Sequence, residues 1–129
     1  MIAYIDSSSF LRNVLKQDRF DAVQELTDYI HGRGGRLVSS ELLKLETRRT
    51  QVRLQQDWID FKTELDEIDL FEIANEDMRL AFDIDVSVKS LDALHLASCL
   101  KIGADALITS DKNMRAAAEH LGIFVHWAG

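Results

Sequence analysis

The chain has 129 residues, 47% of them hydrophobic, and its 15 Lys and Arg stand against 22 Asp and Glu for a formal charge of −7. That length and apolar content predict one globular domain over residues 1–129, burying roughly 65 to 70% of its unfolded surface. A lone cysteine, Cys99, excludes an internal disulfide; the four histidines, His31, His95, His120 and His126, show no zinc-site spacing, and no apolar run approaches the ~18 residues of a membrane span. The amino terminus, MIAYIDSSSF, has neither a basic region nor a long apolar core. These features lead to the expectation of a cytoplasmic protein.

Ile2 to Ile5 is a short apolar run ending in Asp-Ser-Ser-Ser, which predicts a strand followed by helix-capping chemistry. Phe10, Leu11, Val14 and Leu15 keep helical spacing, as do Val23, Leu26 and Ile30, and Gly32, Gly34 and Gly35 end that second helix. Gly32 to Gly35 lacks the Lys-Ser/Thr of a phosphate loop and precedes a strand, so it reads as a turn. A strand over Arg36 to Ser39 leads to a helix from Glu41 to about Leu54 and a helical segment from Asp57 to Leu65. Ile68 to Ile73 alternates like a strand, Asn75 to Phe82 reads as a helix, and Leu91 to Ile102 is the most apolar helix, stopped by Gly103. Ala106 to Thr109 is a strand, Lys112 to Leu121 a helix, and Ile123 to Trp127 a last strand. Strands separated by helices predict an α/β fold, a mostly parallel sheet with helices on both faces.

Charge is uneven. Asp57 to Asp85 holds 11 acids and two bases, a local −9, so the remainder is +2. The acidic stretch reads first as solvated helix faces, and the rest is open to a polyanion.

In an open parallel sheet, ligands bind beyond the carboxyl ends of the strands where strand order reverses. Asp6 directly follows the first strand, and Asp111 follows the Ala106 to Thr109 strand by two residues. Each alone reads first as a helix N-cap. Asp92 shares a helical stripe with Leu96 and Cys99, and Glu46 shares the inward face of Leu42 and Leu43. Their ordinary explanations are the helix dipole for Asp92 and pairing with Arg49 or Arg53 for Glu46. Together the four suggest convergence. Two like charges ~4 Å apart repel by roughly 4 kcal/mol at an effective dielectric of 20, so converging carboxylates call for a cation. Oxygen ligands favour Mg²⁺ or Mn²⁺, which suits hydrolysis of a phosphodiester.

Four segments carry a resemblance to a known family: YIDSSS at Tyr4 to Ser9, ELLKLETRR at Glu41 to Arg49, SLDALHLAS at Ser90 to Ser98 and LITSD at Leu107 to Asp111. In this order, over nearly the whole chain, they resemble PIN-domain ribonucleases, and more closely the VapC-type toxin of VapBC toxin–antitoxin pairs. The resemblance implies a PIN-like three-layer sandwich and an Mg²⁺- or Mn²⁺-dependent endoribonuclease with Asp6, Glu46, Asp92 and Asp111 as its acidic set. It also implies a homodimer and a cognate antitoxin that blocks the site. Many relatives place a further acid and an aromatic two and three residues after the last carboxylate, where this chain has Asn113 and Met114.

On this reading Asp6, Asp92 and Asp111 hold the metal directly or through water, and Glu46 orients the attacking water or a second ion. Ser8 and Thr109 stand beside the site as candidates to bond a ligand water or a phosphate, with capping and strand-end solvation as their ordinary roles. Arg48, Arg49, Arg53, Lys112 and Arg115 are candidate RNA backbone contacts, although each taken singly reads first as helix-surface charge. His95 reads as a hydrogen-bonded core residue rather than a general acid, and Cys99 as a small buried hydrophobe. A non-toxin PIN nuclease of RNA processing is the nearest alternative. A receiver-like Mg²⁺-binding signalling domain fits less well, because it wants a pair of acids where Asp6 stands alone.

Overall fold

The computed structural model describes residues 1–129. Five strands, β1 (Ile2–Ile5), β2 (Arg36–Ser40), β3 (Asp69–Phe71), β4 (Ala106–Thr109) and β5 (Val125–Trp127), form one sheet in the order β3-β2-β1-β4-β5. Every neighbouring pair is parallel. The connections are helical: α1 (Ser7–Val14) and α2 (Phe20–Gly32) lead to β2, α3 (Glu41–Leu54) and α4 (Trp58–Leu65) to β3, α5 (Asn75–Asp83) and α6 (Ser90–Ile102) to β4, and α7 (Lys112–His120) to β5.

Side-chain alternation along the central strands divides the interior in two. Ala3 and Ile5 of β1, Leu37 of β2 and Ile108 of β4 face one side, where they pack with Phe10, Val23, Ile30, Leu43 and Leu65 from α1 to α4. Tyr4, Val38 and Leu107 face the other, against Leu96 and Cys99 of α6 and Met114, Ala117 and Ala118 of α7. A sheet buried on both faces explains why IAYI and ALIT are unbroken apolar runs. Helix α5 packs on α6. No helix is long and apolar enough to cross a membrane.

Gly32 closes α2 and the chain turns over Arg33 and Gly34, with a steric reason for the glycine that follows. A Cβ on Gly35 would lie 2.7 Å from Ile30 Cγ2 and 2.9 Å from the Ile30 carbonyl oxygen. The bare backbone lets the Arg36 amide reach the Met1 carbonyl at 2.9 Å and start the β2 to β1 pairing. At the far end of α6, Gly103 adopts φ 73°, a left-handed C-cap that glycine adopts without strain.

The edge strands are shorter than the sequence suggests. β3 covers Asp69–Phe71 rather than Ile68 to Ile73, and β5 covers Val125–Trp127 rather than Ile123 to Trp127. Each pairs on one side only, with Val38–Ser40 of β2 and Leu107–Thr109 of β4, so regular pairing stops where those partners end.

The chain runs outward from β1 through β2 to β3, then returns to the other side of β1 as β4 and β5. The reversal therefore lies between β1 and β4, whose carboxyl ends release Asp6 and Asp111.

Candidate active site

A cleft of about 650 Å³ opens at that reversal, and Asp6, Glu46, Asp92 and Asp111 all line it. Four elements each supply one acid. Asp6 caps α1, Glu46 projects from α3, Asp92 lies in the first turn of α6, and Asp111 caps α7.

Capping and cleft-lining prove compatible in Asp6 and Asp111, because a cap uses only part of a carboxylate. Asp111 Oδ1 accepts from the Asn113 and Met114 amides at 2.7 and 3.1 Å. Asp6 is buried; its Oδ1 accepts from Ser8 Oγ at 2.7 Å and the Ser9 amide at 3.1 Å, and its Oδ2 from Thr109 Oγ1 at 2.6 Å. Three donors on about four lone-pair positions leave roughly one acceptor site open.

Ser8 and Thr109 thus spend their hydroxyl protons on Asp6. Ser8 Oγ also accepts from the Ser110 amide at 3.0 Å, and Thr109 Oγ1 from the Asp111 amide at 3.1 Å. Thr109 is fully buried and does not line the cleft, so it reaches a ligand only through Asp6. Ser8 does line it.

Glu46 has a different partner from the arginines expected for it. Its Oε1 lies 2.5 Å from His95 Nε2 and 2.7 Å from Ser7 Oγ. Glu46 faces α6, where His95 meets it, and Arg49 does not line the cleft. Arg53, seven positions on, returns to that face and lines the cleft together with Thr50.

Electrostatics differ among the acids. Burial pushes the Asp6 carboxyl above its ordinary value, against the opposing pull of the Thr109, Ser8 and Ser9 hydrogen bonds. Asp92 is also raised, first by burial and then by the charge of Asp111, with a further contribution from Glu46. Burial acts on Glu46 in the same sense, but the His95 and Ser7 hydrogen bonds and the His95 charge outweigh it and hold that carboxyl low. The site therefore concentrates negative charge that its surroundings only partly compensate.

The donor set is oxygen throughout, and no three His, Cys, Asp or Glu side chains stand close enough to enclose a bare ion. Such a site suits a hard divalent cation that keeps several of its waters. Asp92, which has no hydrogen bond from the protein to either oxygen, and Asp111 through Oδ2 keep carboxylate oxygens free of protein donors.

The expected basic residues are only partly gathered. Arg53 lines the cleft, whereas Arg48, Arg49, Lys112 and Arg115 stand outside it. Arg48 lies over the Trp58 ring at 5.4 Å, and Arg115 pairs with Glu119 and lies over Trp127 at 5.0 Å. The cleft takes Arg12 and Lys89 instead. Arg12 was legible as the residue one helical turn after Ser8, and Lys89 as the cation immediately before the Asp92 helix. Ser7 and His95 also line the cleft, and both contact Glu46. Cys99, as expected, is buried, and burial pushes its thiol up to about 12, which leaves it inert.

The family model of the PIN domain matches residues 3–120. The chain is 30% identical over 126 residues to Ribonuclease VapC46 of Mycobacterium tuberculosis, covering 95% of this chain and 94% of that one. Among solved structures, VapBC2 from Rickettsia felis bound to a DNA fragment from its promoter matches with a TM-score of 0.75 at 10% identity, over 98% of both chains. A toxin–antitoxin complex from Klebsiella pneumoniae gives 0.72 at 14% identity, again over 98% of both chains. PAE2754 from Pyrobaculum aerophilum gives 0.60 at 17% identity, over 97% of this chain and 83% of that one. With the parallel sheet, the helical layers and the cleft at the strand reversal in place, the chain belongs to the PIN-domain family.

Proposed function

We propose that this chain is a divalent-metal-dependent endoribonuclease that hydrolyses RNA phosphodiester bonds and acts as the toxin of a toxin–antitoxin pair. The observation that carries the reading is the meeting of Asp6, Glu46, Asp92 and Asp111 in one cleft, each from a different element. Near full-length similarity to a VapC ribonuclease supports the substrate class, and the fold shared with toxin–antitoxin complexes supports the partner.

Asp92, Asp111 and the open position on Asp6 would hold Mg²⁺ or Mn²⁺ directly or through water. When bound, the ion neutralises the clustered carboxylates, polarises the phosphate and eases deprotonation of water. Glu46, kept ionised, is suited to accept a proton from the attacking water or to orient it. Arg12, Arg53 and Lys89 are suited to hold the RNA backbone at the rim of an otherwise acidic site. An antitoxin that places an Arg or Lys among the four carboxylates would replace the cation's charge and shut the site.

Attack by water does not use the ribose 2′-hydroxyl, so no cyclic phosphate forms, and departure of the 3′-oxygen leaves a 5′-phosphate and a 3′-hydroxyl. Total cellular RNA incubated with the protein and Mg²⁺ or Mn²⁺ is expected to give discrete cuts that vanish on chelation and in Asp6→Asn. Cyclic phosphate ends, or cutting that survives chelation, would refute the metal-dependent hydrolysis.

A homodimer is part of the same reading. Helix α5 leaves Met78 and Phe82 exposed four residues apart on one face, with Phe82 at 89%, an apolar surface that a second copy would cover. Sedimentation is expected to show a dimer for the wild type and a monomer for Phe82→Glu. A dimer undisturbed by that change would place the interface elsewhere.

A further inference from the structure

Beneath Glu46 a chain of hydrogen bonds runs into the core. His95 is almost fully buried, yet both its ring nitrogens are occupied: Nε2 at 2.5 Å from Glu46 Oε1, and Nδ1 at 2.7 Å from the Tyr4 hydroxyl. Tyr4 is itself buried in β1, with its hydroxyl 3.1 Å from Ser40 Oγ. The Tyr4 and His95 rings meet edge to face at 5.8 Å, so neither turns freely. Ser7 Oγ completes the arrangement, 2.7 Å from Glu46 Oε1 and 3.2 Å from His95 Nε2.

We propose that His95 is a positioning residue, locked by Tyr4, that fixes Glu46 so that its second oxygen faces the cleft. The inference rests on the nuclease reading of that cleft and deepens it.

Three observations carry it. An ionised Glu46 accepts hydrogen bonds only, so Nε2 donates to it, while Nδ1 is engaged by the Tyr4 hydroxyl. With both nitrogens engaged inside the protein, the ring has none to offer a substrate, which separates positioning from acid catalysis. Glu46 is a long, part-exposed side chain on a helix surface, and without a second anchor it has several rotamers to explore; both of the anchors it has act on Oε1, which leaves Oε2 for the cleft. Groups that orient a site carboxylate in this way typically contribute about 10- to 100-fold to activity or metal affinity.

The test is a double-mutant cycle on RNA cleavage, accompanied by crystal structures of the variants. His95→Leu is expected to lower kcat by about 10- to 100-fold with KM for RNA unchanged. His95→Gln, whose amide can still donate near the Nε2 position, is expected to recover most of that loss. On a Glu46→Gln background, His95→Leu is expected to add less than about twofold, because a residue that acts only through Glu46 has nothing left to act on. Its crystal structure is expected to show Glu46 rotated away from Ser7 or spread over several rotamers. Tyr4→Phe keeps the core volume and serves if His95→Leu does not fold; it is expected to lower kcat about threefold or more and likewise to add nothing to Glu46→Gln. Losses that multiply in the double variant, or Glu46 unmoved in the His95→Leu crystal, would overturn the proposal. Failure of the wild type to cut RNA would sink the nuclease reading instead, while the crystallographic result on Glu46 would still decide the positioning role.

Discussion

Asp92→Asn is expected to remove RNA cleavage and at the same time to make the metal-free protein more stable. The first effect follows from losing a ligand whose oxygens are free of protein donors: several kcal/mol of charge stabilisation correspond to about 10²- to 10³-fold or more in rate. The second follows from the carboxylate's surroundings. Burial, then the charges of Asp111 and Glu46, raise its pKa above the ordinary 3.8, so the folded protein holds that proton more tightly than the unfolded chain does. A raised acid contributes nothing below its unfolded value and costs stability as pH climbs through its folded value. Asparagine removes the cost. Because Asp92 is partly open to water, the gain is expected to be small, ~0.5 to 1 kcal/mol, or about 2 to 5 °C in Tm at neutral pH. It should shrink toward zero near pH 4.

The same linkage predicts how the cation behaves. Wild-type protein is expected to gain more Tm from Mn²⁺ at pH 7.5 than at pH 5, because protons compete for Asp6 and Asp92 over the acidic range. Asp92→Asn is expected to lose most of that gain at both pH values. Calorimetric melts of the two proteins with and without Mn²⁺ decide it. A variant no more stable than the wild type without metal, and equally stabilised by metal, would remove Asp92 from the site.

The sequence made the four acids visible for two different reasons. Asp6 and Asp111 stand where apolar runs end and helices begin, a position from which one carboxylate both caps a helix and lines the cleft. Glu46 and Asp92 stood out because helical spacing placed a carboxylate among leucines. What spacing could not reveal was the partner of Glu46. His95 is 49 residues away, and their contact depends on how α3 and α6 converge over the ends of β1 and β2. An ion pair with Arg49 or Arg53 was the local expectation, and the tertiary contact prevailed. The basic residues illustrate the same limit. Arg48 and Arg49 lie in the same helix as Arg53, but of the three only Arg53, seven positions and nearly two full turns from Glu46, lines the cleft. Edge strands were overestimated because alternation marks apolar residues and does not show where a partner strand stops.

The acidic stretch from Asp57 to Asp85 reads as solvated surface, and one member departs from that. Asp77, in the first turn of α5, is fully buried. Its Oδ2 accepts from the Ala74 amide at 2.7 Å and from Lys101 Nζ at 2.5 Å, while Oδ1 has no partner. The Lys101 side chain, 26% exposed, reaches in from the last turn of α6. A pair of this kind contributes little net stability compared with an apolar pair of equal shape, but removing one partner strands the other's charge. Lys101→Met is therefore expected to cost ~2 to 4 kcal/mol, somewhat below the full cost for a deeply buried pair because water reaches the lysine side. At roughly 3 to 5 °C per kcal/mol for a domain of this size, Tm should fall by about 6 to 20 °C. Joining Asp77→Leu to Lys101→Met is expected to restore most of the loss, since the stranded charge disappears with its partner. Thermal melts of the wild type, the single variant and the double variant read this directly. A drop under ~2 °C for Lys101→Met would show that Asp77 is not held as an isolated charge. A double variant no better than the single would show that the loss comes from packing between α5 and α6. Either way, the helix that carries Asp92 and His95 into the cleft is the one whose far end this lysine ties down.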